Sequence, residues 1–425
     1  MRSFYIETYG CQMNVAESNA MKALLEGGGL TEAGRPEDAD IAIINTCSVR
    51  KSAENRIWGR LGSYIPLKKS GKPTLVLTGC MASRLGEEAK KIAPQIDFVV
   101  SSNDKLRILD IVKSGENISS DTYCFTDNYH RNGEFSSYVP IMNGCNNFCS
   151  YCIVPYVRGR EVSRDPDQIL KEIAMLEKEN VREITLLGQN VNSYDYNGLK
   201  FPKLLQMIAD RCHKIQWIRF ESPHPKDFSN ELIEVIAEND KVAKHIHVPM
   251  QSGNSRILKE MNRHYSRESY LELIEKIKSR IPEITFAVDV MVGFPGETQA
   301  EYEDTLSAMK QVGYIEAYMY YWNPREGTRA FSMPDQIPEK EKQARLQKLI
   351  DNQLEWAYEI KSKRVGNIQK VLVLNPSRDN SSQMLGRNEH NESVVFDVKE
   401  NVKPGDIVNV EFIMLNGNTY VGKQV

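Results

Sequence analysis

The stretch GCNNFCSYC, Gly144 to Cys152, sets cysteines at 145, 149 and 152 in a C-x3-C-x2-C run. Three thiolates this close can hold three irons of a [4Fe-4S] cube, and the fourth iron is then left without a protein ligand and open to chemistry. A structural zinc knot is the competing reading, but a closed zinc site needs a fourth Cys or His and is usually built from C-x2-4-C pairs. The run follows YVPIMNGC, which reads as a strand, and the pattern continues downstream in EITLLGQNV, IQWIRFESPHP, HIHVPMQS, ITFAVDVMVGFPGE and YIEAYMYYWNPREG. Helical patterns such as DPDQILKEIAMLEKEN, ELIEVIAEN and TQAEYEDTLSAMKQVG lie between these strands. Repeated βα units predict a full or partial barrel over residues 131–355.

Upstream, residues 1–125 alternate the β-rich runs SFYIETYG, IAIINTCSV and TLVLTGC with helical stretches such as AESNAMKALLEGG and AENRIWGRLGSYI. Apolar strands followed by helices predict a parallel α/β sheet. Each of the three strands ends at a cysteine: Cys11, Cys47 and Cys80. The carboxyl ends of parallel strands share one edge, where ligands of open α/β folds bind, so the three can converge there. Three buried strand-end thiols are the plain alternative. Beside the Cys145 motif, a second cluster with an open iron is the preferred reading.

The triple glycine at Gly27 to Gly29 predicts a helix stop, and SGENISSDTYCFTDNYHRNGEFSS a linker or wandering connection. After the charged helical stretch EKEKQARLQKLIDNQLEWAYEIKSKRVG, the runs IQKVLVLN, SVVFDV, DIVNVEFIML and TYVGKQV predict a small all-β domain over 361–425. The expected fold class is therefore α/β in three parts: a parallel α/β domain, a (βα) barrel and an all-β barrel.

The 425 residues are 41% apolar and 26% charged, which excludes wholesale disorder and a fibrous repeat. The opening MRSFYIETYG lacks the basic-then-apolar layout of a signal peptide, and no apolar run approaches the roughly 18 residues a bilayer span needs. A cytoplasmic protein without membrane contact is expected. Lys and Arg number 54 against 57 Asp and Glu, a net charge of -3, so any nucleic-acid contact must come from local patches. Eight cysteines without a secretion signal point to metal or redox use rather than disulfides.

The C-x3-C-x2-C spacing, with Tyr151 before its third cysteine, resembles the signature of radical S-adenosylmethionine (SAM) enzymes. The resemblance implies that SAM chelates the open iron and is cleaved reductively to a 5'-deoxyadenosyl radical. Gly188, Gln189, Asn190, Gly293 and Gly296 sit at predicted strand ends, and Gln251 and Ser252 follow the HIHVPM strand; with Tyr151 they are the candidate SAM contacts. TYGCQMN, NTCSVR, GCMA, GCNNFCSYCIVPYVRGREVSR, LLGQNVNSY, HVPMQSG and VGFPGET then fall in order over nearly the whole chain. In this the sequence is similar to the methylthiotransferase family, and within it to the tRNA-modifying MiaB type. The C-terminal module is similar to the TRAM domain, an OB-like barrel that holds RNA. One departure stands near the start, where VAES follows CQMN in place of the aspartate-serine common in the family.

That resemblance implies two [4Fe-4S] clusters, an auxiliary one on Cys11, Cys47 and Cys80 and a radical-SAM one on Cys145, Cys149 and Cys152. It implies that one SAM gives its methyl group to a sulfur at the auxiliary cluster, while a second is the radical source. Hydrogen is taken from C2 of an adenine and a methylthio group is placed there. The implied substrate is N6-isopentenyladenosine beside the anticodon, within a tRNA anticodon stem-loop, and Asn146 with the VPYVRGRE continuation leans that way. An electron donor and a sulfur or cluster supplier are implied partners, and a monomer is expected. Family members acting on threonylcarbamoyladenosine in tRNA or on a ribosomal-protein aspartate are the nearest alternatives. Further off stand a radical-SAM enzyme of another reaction class and a non-catalytic Fe-S or zinc RNA-binding protein.

Several residues outside the triads have candidate roles. Arg158, Arg160 and Arg164 can grip tRNA phosphate or the SAM carboxylate. His245 and His247 alternate on one strand and can line the barrel, with a packed or hydrogen-bonded role favoured. Of the aromatic run Tyr318, Tyr320, Tyr321 and Trp322, core packing is the favoured reading, and Trp322 is the candidate for stacking on a base. In the β module, Lys361, Lys363, Arg364, Lys370 and Arg387 can form an RNA-binding face, diluted by Asp397, Glu400, Asp406 and Glu411. Cys124 and Cys212 are read as inert thiols.

Overall fold

The computed structural model describes residues 2–48, 51–69, 71–116, 122–131, 133–378, 380, 382–399 and 401–425, with the backbone alone at 51–53. Arg50 of the NTCSVR motif, part of the predicted linker and Glu400 therefore lie outside the described residues.

The N-terminal unit is a five-stranded parallel sheet of β1 (Ser3–Tyr9), β2 (Thr31–Glu32), β3 (Ile41–Thr46), β4 (Thr74–Gly79) and β5 (Phe98–Val100), in the order β2-β1-β3-β4-β5. The strand period of two explains why β3 is buried at every position. Ile41 and Ile43 pack on one side with Phe4 and Val76, while Ala42 and Ile44 pack on the other with Leu75 and Leu77. Helix α1 (Gln12–Gly27) starts just past β1 and ends at the triple glycine.

Six parallel strands form the central unit: β6 (Ser136–Pro140), β7 (Glu183–Leu187), β8 (Trp217–Phe220), β9 (His245–His247), β10 (Thr285–Val292) and β11 (Glu316–Tyr321). A bridge from Ile218 to Val242 joins β8 to the approach of β9, so the strands follow chain order in one curved run. Among the described residues no ladder joins β11 back to β6, and the barrel is partial. Its aliphatic core lies between the strands and the surrounding helices.

The helix Glu339–Ser362 leads to a closed barrel of β12 (Ile368–Pro376), β13 (Gln383–Asn388), β14 (Ser393–Asp397), β15 (Ile407–Asn416) and β16 (Thr419–Gln424), in the order β12-β13-β14-β16-β15. The sequence pattern shows four of these strands. β13 lacks a β-branched run, and pairing with β12 on one side and β14 on the other makes it a strand.

The turn after β13 closes the floor of the partial barrel. Arg387 pairs with Glu183, and Arg219 donates to the carbonyls of Glu389 at 2.6 Å and Asn388 at 2.8 Å. Asn391 donates to Glu316 at 2.9 Å, and His390 sits 3.2 Å from the Thr285 hydroxyl. Trp217, Ala243 and Leu372 add an apolar contact across the same boundary. This corrects the expected RNA face of the β module. Arg387 is drawn into the barrel floor, Lys361 is buried beside Asn418 and Arg364 pairs with Glu392, because each has an internal acceptor. Lys363 and Lys370 stay exposed.

Glu183 is 1% exposed and holds Arg219 at 2.7 Å as well as Arg387. Glu183→Ala leaves two guanidinium groups without their buried counter-charge and is expected to cost about 3–5 kcal/mol, read from urea denaturation. A loss under about 1 kcal/mol would place the pair among weak surface bridges.

Candidate active site

Tyr9, Thr46 and Gly79 are Cα partners across β1, β3 and β4, so Cys11, Cys47 and Cys80 leave the same edge of three adjacent strands. Cys11 is the N-cap of α1, Cys47 follows β3 directly, and Cys80 opens helix α2 (Cys80–Leu85). A buried amide pair ties the loops together. Asn14 donates to Asn45 Oδ1 and to the Thr46 carbonyl, both at 3.1 Å, and Asn45 donates back to the Asn14 carbonyl at 2.9 Å. Cys11 Sγ lies 3.3 Å from Asn14 Oδ1. The turn into Cys80 requires glycine: Gly79 has φ +94°, and a Cβ there would lie 2.2 Å from the Thr46 carbonyl oxygen. Asn45, a polar residue inside IAIINTC, was the sequence signal for this network.

The second triad lies on the loop after β6. The Gly144 N–H donates to Gln189 Oε1 at 2.6 Å, and the Cys145 N–H donates to the Gly159 carbonyl at 3.2 Å. Ser150 Oγ donates to the Glu260 carbonyl, Asn262 donates to the Phe148 carbonyl, and Arg263 reaches Cys149 Sγ at 3.5 Å. Burial pushes the Cys145 thiol up to about 11 and the Cys152 thiol, with Cys149 adding to it, up to about 12.

Buried thiols of this kind resist ionisation until a cationic metal core is present, so an all-sulfur donor set of three fits an iron cube. Among the described residues no three His, Cys, Asp or Glu side chains gather around a single-ion position.

One cysteine of the first triad touches the segment that follows the second. Cys80 packs on Ile153 and Val157, which flank and form helix α3 (Val154–Arg158) just after Cys152. Arg158 then crosses to Glu17 of α1, with Nη1 at 2.9 Å from one carboxylate oxygen and Nη2 at 3.1 Å from the other. Lys105 pairs with the same carboxylate, and the Tyr123 hydroxyl donates to it at 3.3 Å. Of the stretch read as a linker or wandering connection, the described part packs on the protein, with Tyr123 and Tyr129 both buried.

The other candidates divide. Arg158 is 3% exposed and Arg164 1%, so neither is free to grip phosphate. Arg164 is held by Glu172 and by the Pro140 and Thr126 carbonyls. Arg160 stays exposed, with its guanidinium 4.4 Å from the Phe148 ring. Trp322 is buried against Phe294 and donates to Gln336 at 3.0 Å, which removes it as a stacking platform. Ser252 is fully buried beside Thr305. Asn190 is locked by Asp227 and the His224 N–H. A Cβ at Gly188 would meet Met142, and one at Gly293 would meet Lys342, so the chain's own packing demands these two glycines. Gln251, with φ +67°, pairs its backbone with Asp289 and Met291, and Gly296 has φ +72°. Tyr151 packs against the buried cluster that contains Ile257, Phe294 and Trp322. Cys212 is buried and Cys124 exposed, both outside the triads. Glu17, Lys105 and Arg263 carried no local signal, because their partners are distant in sequence.

Residues 3–101 match the uncharacterized protein family UPF0004, 139–309 the Radical SAM superfamily and 362–419 the TRAM domain. The chain is 45% identical to the tRNA-2-methylthio-N(6)-dimethylallyladenosine synthase of Treponema denticola, over 98% of this chain and 99% of that protein. It is 43% identical to the same-named protein of Treponema pallidum (98% and 97% covered) and 42% to that of Fusobacterium nucleatum (97% of each). The chain belongs to the tRNA-2-methylthio-N(6)-dimethylallyladenosine synthase family. Among solved structures, its fold is similar to TsrM, a radical SAM methyltransferase from Kitasatospora setae, with a TM-score of 0.56, 13% identity and 78% and 77% of the chains covered. It is also similar to OxsB, a cobalamin-dependent radical SAM enzyme, with a TM-score of 0.53, 10% identity and 84% and 56% covered.

His247 lies 3.1 Å from both Glu221 and Asp289, one carboxylate on each ring nitrogen, with the Tyr318 ring centroid 5.6 Å away. His245 is hydrogen-bonded to Thr285 at 2.9 Å. Burial alone would lower the His247 pKa, but the Asp289 and Glu221 carboxylates beside its ring raise it to about 10. A folded pKa above the unfolded value of about 6.5 stabilises fully below that pH, and the contribution is lost as pH climbs through about 10. The stability gap between the parent and His247→Gln is therefore expected to shrink steadily from pH 6.5 to 10 in denaturation series. A constant gap would show that His247 carries no extra proton when folded.

Proposed function

We propose that the protein is a radical-SAM tRNA methylthiotransferase that converts N6-isopentenyladenosine next to the anticodon to its 2-methylthio derivative. SAM serves as methyl donor and as radical source, and the chain carries two [4Fe-4S] clusters. The observation that carries this reading is the packing of Cys80, from one cysteine triad, on Ile153 and Val157, which follow the other. The near full-length likeness to same-named relatives supports the substrate.

When bound, the open iron with SAM supplies a 5'-deoxyadenosyl radical able to take hydrogen from an unactivated carbon. Cys145, Cys149 and Cys152 would hold the cluster that does this, with Gln189 fixing the loop at Gly144 and Arg263 fixing Cys149. Cys11, Cys47 and Cys80 would hold the auxiliary cluster, braced by Asn14 and Asn45. Tyr151, Gln251 and Gly296 are left as SAM contacts, and Arg160, with Lys363 and Lys370, as contacts to the tRNA anticodon stem-loop. An electron donor and a sulfur or cluster supplier complete the set of partners, for a monomer working in the cytoplasm. Among the described residues no helix is long and apolar enough to cross a membrane.

Anaerobic incubation with SAM, a reductant and tRNA bearing either modified adenosine, followed by nucleoside mass spectrometry, tests the reading. A methylthio product from isopentenyladenosine alone is expected. Product from threonylcarbamoyladenosine alone would overturn the substrate, and none from either would point to a protein substrate. Reconstitution is expected to give about eight irons per chain. Cys47→Ala is expected to halve the iron and abolish methylthiolation while SAM cleavage to 5'-deoxyadenosine persists; loss of both activities in a folded variant would remove the division of labour.

A further inference from the structure

Beneath the N-terminal triad lies a buried charge cluster that no ligand role accounts for. Lys105 and Glu17 have no exposed surface, and Arg158 is 3% exposed. Glu17 is six residues along α1 from its N-cap Cys11, and Arg158 directly follows Val157, which packs on Cys80. Two cations thus share one carboxylate, which leaves one positive charge unbalanced by these three side chains. Arg158 spends a further N–H on Asn143 at 2.8 Å, a neutral acceptor, and Tyr123 offers Glu17 a neutral donor. Such an excess is costly in a protein interior unless an anion faces it.

Burial lowers the Lys105 pKa against the pull of Glu17, while Glu17 outweighs burial at Arg158 and holds it cationic. The triad lies against this group, since Val157, next to Arg158, packs on Cys80, and Cys11 caps the helix that carries Glu17. Burial raises Glu17, but Arg158 and Lys105 together hold its carboxyl below the usual range, so Glu17 stays ionised as their brace.

We propose that Lys105 and Arg158, cross-braced by Glu17, form a cationic floor that sets the reduction potential of the cluster held by Cys11, Cys47 and Cys80. The proposal rests on the two-cluster reading above. Net charge around an iron-sulfur cluster is one of the terms that fix its potential, because each added electron makes the cluster more anionic. A nearby cation favours the reduced form and raises the potential, and a nearby carboxylate does the reverse. These are positioning residues: their charge acts through the cysteines they face.

The test uses the full-length chain with Cys145, Cys149 and Cys152 replaced by Ala, so that one cluster remains, titrated for its midpoint potential by electron paramagnetic resonance. Lys105→Met is expected to move the midpoint to more negative values and Glu17→Gln to more positive values, with iron content unchanged. Arg158→Lys, which keeps the charge, is expected to hold the parent midpoint. A purely structural role would not produce shifts of opposite sign. Midpoints that stay put, or that move the same way in both charge variants, overturn the proposal. Should Lys105→Met fail to fold, Glu17→Gln alone decides, and a midpoint unmoved or more negative overturns it. If the parent with the three Ala substitutions assembles no cluster, the two-cluster reading falls and takes this proposal with it. An assembled cluster with unmoved potentials removes only the proposal.

Discussion

The Glu17 carboxylate is the pivot of this molecule. It lies fully buried between Arg158 and Lys105, and those two residues belong to different parts of the chain. Arg158 ends the short helix that follows the Cys145–Cys152 loop, while Lys105 follows the last strand of the N-terminal sheet. Removing water from three charges costs several kcal/mol per ion unless each is paired with good geometry, and the two-point contact with Arg158 supplies that geometry. The N-terminal unit and the partial barrel are thereby held in one relative placement. With Cys80 packed on Val157, both cysteine triads face a common boundary.

A second buried carboxylate does similar work at the opposite end of the barrel. Glu183 gathers Arg219 from the neighbouring strand and Arg387 from the β module, and the turn at 388–392 fills the floor. The β module is therefore built into the barrel and is more than a tethered RNA-binding appendage. Part of its basic charge is used to make that joint, which leaves Lys363 and Lys370 on the outside.

Both charged joints escape a reading of the sequence for a shared reason. Strands and helices announce themselves through periodic apolar residues, so β1, β3, β4 and the six barrel strands were legible, and so was their parallel arrangement. The cysteine spacing was legible as well, because local chain geometry alone brings 145, 149 and 152 together. Arg158, Arg164 and Trp322 were misread because an Arg or Trp near a strand end looks the same on paper whether it faces solvent or a buried acceptor. Their partners, Glu17, Glu172 and Gln336, lie from 8 to 141 residues away. β13 was missed because its residues have little intrinsic strand preference and are strands only by pairing on both edges.

The sequence by itself determined the three-part architecture, the two cysteine triads and the kinship with methylthiotransferases, since each rests on local spacing or on an ordered series of short motifs. Only the tertiary structure decided that the N-terminal cysteines emerge from adjacent strand ends, that Cys80 packs on the helix after the second triad, and which cations are buried. Strand order, register and the choice of partner for a buried charge depend on contacts between distant segments. The desolvation cost that enforces those contacts has no signature in the order of residues along the chain.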